Sequence, residues 1–101
     1  MAYIELLKLH QLYEGLRQVV RVAGRECILI HEQGQTRLIQ NVCPHAGAPL
    51  TQGTINNGAI RCARHGITFD LLSGQPLTAG CDQPLTFIPL SYEGNTLGVY
   101  V

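Results

Sequence analysis

The sequence has no excess charge of either sign: seven lysines and arginines balance seven aspartates and glutamates, and the isoelectric point is near 6.9. A chain without a net field has no general attraction for nucleic acid or an anionic lipid surface, and both drop out as expected partners. Charge is scarce altogether, at 14% of residues, against 46% hydrophobic. The chain can therefore bury a core and is not compositionally disordered. Long apolar runs are missing: nothing approaches the roughly 20 residues of a membrane span. Glu5, Lys8 and His10 also interrupt the stretch where a secretory leader would be apolar. The expected location is the cytoplasm, with no membrane contact. Internal repeats, low-complexity tracts and a glycine-rich phosphate loop are absent too. Asp70 and Asp82 have no partner carboxylate at a readable spacing, and the few serines sit in no nucleophile motif. With 101 residues the chain is expected to form a single domain over 1–101, too short for a two-domain enzyme. A core of this size would also gain usefully from a bound metal.

Eleven glycines are spread along the chain as punctuation. Between them run short apolar stretches with partial alternation, at 18–22, 26–31, 36–41, 58–62, 67–71, 85–92 and 96–101, and these are read as strands. Ala23-Gly24, Gln33-Gly34, Asn56-Asn57-Gly58, Ser73-Gly74 and Glu93-Gly94-Asn95 supply the turn residues that tolerate positive φ. Many short strands joined by tight turns predict an antiparallel all-β fold. The segment 3–13 is read as strand in its first half, although its apolar positions would also suit a short helix.

Two segments break the pattern. Asn41 to Leu50 holds two prolines and a glycine directly after a strand, so it cannot continue in a sheet. Arg61 to Gly66 leaves room only for a tight turn. Each offers one thiol and one imidazole, as Cys43-x-His45 and Cys62-x-x-His65, with sixteen residues between His45 and Cys62. That interval is long enough to run out along a hairpin arm and return, so the four side chains can converge. In a reducing compartment such cysteines read as metal ligands or buried thiols sooner than as bridges. Two thiolates and two imidazoles suit zinc or a two-iron cluster. A zinc finger takes both cysteines from one segment and both histidines from another, whereas here each turn supplies one of each, an arrangement that suits two chemically different irons.

Cys43-Pro44-His45-x-Gly47 followed by Cys62-x-x-His65-Gly66 resembles the Rieske [2Fe-2S] signature. The likeness extends to the strands before the first loop, to Thr68-Phe69-Asp70, to the Ser73-Gly74 turn and to a closing 85–101 hairpin, and so covers essentially the whole chain. It implies an all-β Rieske fold, with an antiparallel sandwich or barrel base and a small cluster-binding subdomain built on the loops at about 41–50 and 61–67. Cys43 and Cys62 would hold the buried iron of a [2Fe-2S] cluster, and His45 and His65 the outer iron near solvent.

The high-potential, respiratory branch of that family adds a cysteine to each loop, where this sequence has Ala48 and Arg64. The same branch places hydroxyl donors where this sequence has Ile67 and Phe69. A cluster without those donors is expected near the low end of the Rieske range, roughly −150 mV. Free-standing chains of this kind resemble the ferredoxin components of bacterial aromatic-ring dioxygenase systems. The resemblance implies a monomeric one-electron carrier with no organic substrate. It would take electrons from a flavin-containing, NAD(P)H-dependent reductase and pass them to a terminal oxygenase. The alternative is a subunit like the small subunit of assimilatory nitrite reductase, in which the metal site is structural or regulatory.

The remaining candidates have plainer expectations. Cys27, in an apolar run, is a small core residue, and Cys81 is a packed or lightly exposed thiol on a loop. His10 and His31 are solvated and bind nothing. Arg61 and Arg64 are either ordinary surface charges or the shapers of a docking face beside His65.

Overall fold

Tight two-residue turns set the architecture. In the computed structural model, which describes residues 1–44, 47–64 and 66–101, both residues of Ala23-Gly24, Gln33-Gly34 and Asn57-Gly58 have positive φ, between 51° and 81°. That geometry matches the twist of an antiparallel hairpin. The first two turns link β2 (Leu16–Val22), β3 (Arg25–Glu32) and β4 (Gln35–Gln40) into one meander, and the third joins β5 (Thr54–Asn56) to β6 (Ala59–Arg61). β7 (Thr68–Asp70) completes that second sheet in the order β5-β6-β7. The third sheet has the order β1-β9-β8, from β1 (Tyr3–Lys8), β9 (Thr96–Tyr100) and β8 (Ser91–Glu93). The all-β antiparallel expectation is met.

The meander is a wall with a core on each face. Residues 27–30 of β3 are all buried and unbroken by polar positions, the pattern of a strand covered on both sides. Ile28, Ile30 and, from β4, Ile39 face one core, with Leu50, Ile60, Ile67, Phe69 and both Cys43 and Cys62. Cys27, Leu29 and Leu38 face the other, against Leu7, Leu97 and Val99 of the outer sheet. The period of two therefore sorts successive residues between two environments.

One expectation is corrected and one strand is new. The 85–92 run is strand only at Ser91 and Tyr92, where β8 opens, because Pro89 cannot donate and splits it. Its first part is bound irregularly along β4 instead, through Gln40 N–H to Thr86 O (2.9 Å) and Ile88 N–H to Leu38 O (2.8 Å). β5 was not anticipated, since its three residues carry too little pattern to read. Residues 3–13 are strand in their first half, as expected, through Lys8, and then form a 3-10 turn at Leu9–Gln11. The Ser73-Gly74 turn is present, closed by Gly74 N–H to Asp70 O at 2.7 Å.

The chain leaves β4 into the first cysteine loop and returns through a 3-10 turn, Leu50–Gln52, to β5; the second loop joins β6 to β7. Gly53 sets the two side by side. A Cβ there would overlap the Arg61 carbonyl oxygen and come within 3.1 Å of the Leu50 carbonyl oxygen, both backbone atoms that cannot swing away. Thus the end of the first loop lies against the residue that begins the second. Gly53→Ala is expected to cost about 1–3 kcal/mol through this overlap. The thermal midpoint should then fall by roughly 4–8 °C for each kcal/mol. An unchanged midpoint would show that the close approach is not a constraint.

Candidate metal centre

Both cysteine loops are built on one backbone frame. In the first, Cys43 N–H donates to Ala48 O (2.7 Å) and Gly47 N–H donates to Cys43 O (2.8 Å). In the second, Cys62 N–H donates to Ile67 O (2.8 Å) and Gly66 N–H donates to Cys62 O (2.9 Å). The offsets are identical, five residues forward and four back. Each frame closes on a glycine with φ near +70°, a conformation that a side chain disfavours. The glycines four residues after each cysteine are therefore geometric requirements of the turn.

These frames root Cys43 and Cys62 in the same apolar core, 0% and 1% exposed. Ala48 and Arg64 line one cleft between the loops, together with Pro49, Gln52 and Ala63. These are the two positions at which the respiratory branch is expected to carry its extra cysteines. Ile67 and Phe69 are buried and offer no side-chain hydroxyl. Two buried thiols brought from separate loops into one core fit a cluster that takes half its protein donors from each loop. His45 and His65, the expected histidine ligands, lie outside the described residues.

Asn41 holds the first loop closed, and the sequence reading missed it. It is the only buried polar or charged residue among those described, at 4% exposure. Its Oδ1 accepts from Leu50 N–H (2.7 Å) and Thr51 N–H (3.0 Å), while its Nδ2 donates to Glu26 Oε1 (2.8 Å) and Thr51 Oγ1 (2.6 Å). Only an amide can serve here, because two donors and a carboxylate must be met by opposite ends of one side chain. Arg17 extends the clamp by donating from Nη1 to Thr51 O (2.9 Å) and Gly53 O (2.6 Å). The readable signal was an asparagine directly after an apolar strand, a residue type that hydrogen-bonds nearby backbone.

The other candidates resolve simply. Cys27 is 1% exposed, and burial pushes its thiol pKa up, so it is an unreactive core residue. Cys81 is half-buried, packs against the cysteine-bearing core, and directs its Sγ to Gln83 O at 3.5 Å. Asp70 accepts from the Ser73 hydroxyl (2.8 Å) and N–H (2.9 Å), which lowers its pKa and makes it a turn-former. His10 is exposed, as expected. His31 is not simply solvated: it is half-buried, with Nδ1 2.7 Å from Oγ1 of Thr36, its cross-strand partner.

The clamp makes a specific prediction. Asn41→Ala orphans the buried Leu50 N–H, a loss of about 1–3 kcal/mol. Asn41→Asp keeps both acceptor bonds but sets a second carboxylate against Glu26. The pair then takes up a proton more readily than either acid alone. Stability of Asn41→Asp should therefore lie below that of the native protein at pH 7, with the gap narrowing as pH falls toward 5 in urea titrations. A gap that widens on acidification would exclude the Glu26 contact.

Comparison with known proteins matches the geometry. Residues 2–89 match the Rieske [2Fe-2S] domain family. The ferredoxin component of the naphthalene 1,2-dioxygenase system of Pseudomonas putida is 30% identical over 91 residues, covering 90% of this chain and 88% of that protein. The ferredoxin of carbazole 1,9a-dioxygenase from Nocardioides aromaticivorans IC177 superposes with a TM-score of 0.84 at 26% identity, over 98% of this chain and 97% of that one. A ferredoxin solved in complex with the reduced oxygenase of carbazole 1,9a-dioxygenase has the same fold, with a TM-score of 0.80 at 22% identity over 93% of this chain and 97% of that one. With two buried cysteines on matched loops and a family match over nearly its whole length, this chain belongs to the Rieske [2Fe-2S] family and takes that family's type of cluster.

Proposed function

We propose that this protein is a low-potential one-electron carrier of a ring-hydroxylating dioxygenase system, with Cys43, His45, Cys62 and His65 as its cluster ligands. It takes electrons from an NAD(P)H-dependent flavoprotein reductase and delivers them to a terminal oxygenase. The observation that carries the reading is the pair of matched loops rooting two buried thiols in one core. A [2Fe-2S] cluster supplies a one-electron couple. The chain's part is to hold its ligands still, so that little reorganisation accompanies each transfer, and the two backbone frames and the Asn41 clamp serve that end. Similarity to a naphthalene dioxygenase ferredoxin component, and to a ferredoxin solved with an oxygenase, supports a terminal oxygenase as the electron acceptor.

The low potential follows from what surrounds the cysteines. Hydrogen bonds to sulfur favour the more negative, reduced state, and Ile67 and Phe69 contribute none from their side chains. Midpoint potentials should fall near the bottom of the Rieske range, roughly −150 mV. Anaerobically purified protein should contain two irons and two acid-labile sulfides per chain, with that midpoint in protein-film voltammetry. Stoichiometric zinc with no electrochemical response would overturn the reading. His65→Ala should bleach the visible spectrum; intact colour with reversible redox chemistry in that variant would remove His65 from the ligand set.

A further inference from the structure

The balanced charge of the chain conceals an uneven distribution. Between Glu32 and Asp70 there is no acidic residue, while Arg37, Arg61 and Arg64 all fall in that stretch. The other four cations share the rest of the chain with all seven carboxylates. The stretch includes both cysteine loops. Arg37 lies close enough to Asp70 to help lower its pKa, after the Ser73 hydrogen bonds. Arg61 and Arg64 are both exposed, and among the described residues neither pairs with a carboxylate.

Their positions are not those of scattered surface charges. Arg61 ends β6, and its guanidinium lies over Gly66, close enough that a Cβ there would meet Nη2 at 2.8 Å. Arg64 sits on the loop itself and forms part of the cleft between the two loops. Both arginines also line a second cleft, with Thr54, Cys62, Ala63 and Gly66. The residues that share the first of these clefts with Arg64, namely Ala48, Pro49, Gln52 and Ala63, are all uncharged. A surface of uncharged residues with cations at its rim suits a transient protein interface, and the arginine fork is the side chain best matched to carboxylates.

We infer that Arg61 and Arg64 make the rim of the second cysteine loop a cationic docking surface for a protein redox partner whose own docking face is lined with carboxylates. The inference rests on the electron-carrier reading. It adds the sign of the partner's face and the residues that select it. Because the polypeptide has no net charge and the added electron contributes one negative charge, an anion whose reaction is slowed by salt reports a local cationic field at the second cysteine loop.

The test uses small oxidants of opposite charge on the reduced protein, with iron and sulfide measured on the same sample. One electron passes from the reduced protein to hexacyanoferrate(III), giving hexacyanoferrate(II) and the oxidised protein. The same step is followed with the cation tris(phenanthroline)cobalt(III), which becomes cobalt(II). Stopped-flow rate constants for the anion should fall at least about threefold between 10 and 200 mM ionic strength, and those for the cation should rise. Arg64→Glu should flatten or reverse both trends. Arg64→Lys should keep them. Lys8→Glu makes the same change in net charge on the outer sheet, beyond the middle wall, and should leave both trends in place. Salt-independent rates for both oxidants, or equal effects of Arg64→Glu and Lys8→Glu, in a protein with its iron and sulfide would overturn the docking surface alone. A protein without iron and sulfide would overturn the carrier reading and the docking surface together.

Discussion

A buried thiol at the root of an irregular loop is possible only if the loop's backbone polar groups find partners without a strand ladder, and the loop end of this molecule depends on that condition. Each cysteine satisfies it in the same way, its own N–H reaching five residues forward and its own carbonyl accepting from the glycine four residues on. The glycines follow, because a left-handed residue there turns the chain so that the carbonyl of the next residue can accept from the cysteine N–H. The burial of Ile67 and Ala48 follows as well, since the carbonyls that receive the cysteine N–H groups belong to residues inside the core.

The loops need a floor, and the β2-β3-β4 wall provides it. A single layer of backbone separates a core of purely structural side chains from a core that also receives two thiols. The outer sheet covers the first and leaves the second to the loops and the β5-β6-β7 sheet. Buried polar groups are costly unless paired. The wall therefore meets the first loop through one fully satisfied asparagine, whose four hydrogen bonds connect β3, the loop and the turn after it.

Much of this was legible in the sequence, for a physical reason. Turn residues with positive φ and an apolar period of two are local signals, and they placed β2, β3, β4, β6, β7 and β9 to within a residue or two. The cysteines and their glycines were legible because the frame that binds them is local too. What stayed hidden was non-local. Pro89 decides the fate of 85–92 only in relation to β4, and Gly53 matters only because Arg61 returns beside it. Asn41 became meaningful once Glu26 and Thr51, distant from it in sequence, were found at its two ends. His31 likewise acquires its partner across the β3-β4 hairpin, through a register that composition does not display.

The two cysteine loops share a frame but not a foundation. The first is tied by side chains to two strands of the middle wall, through Arg17 from β2 and Glu26 from β3. The second is suspended between β6 and β7, each three residues long. The site is therefore anchored unequally, with the exposed arginines on the half that lacks these side-chain ties among the described residues.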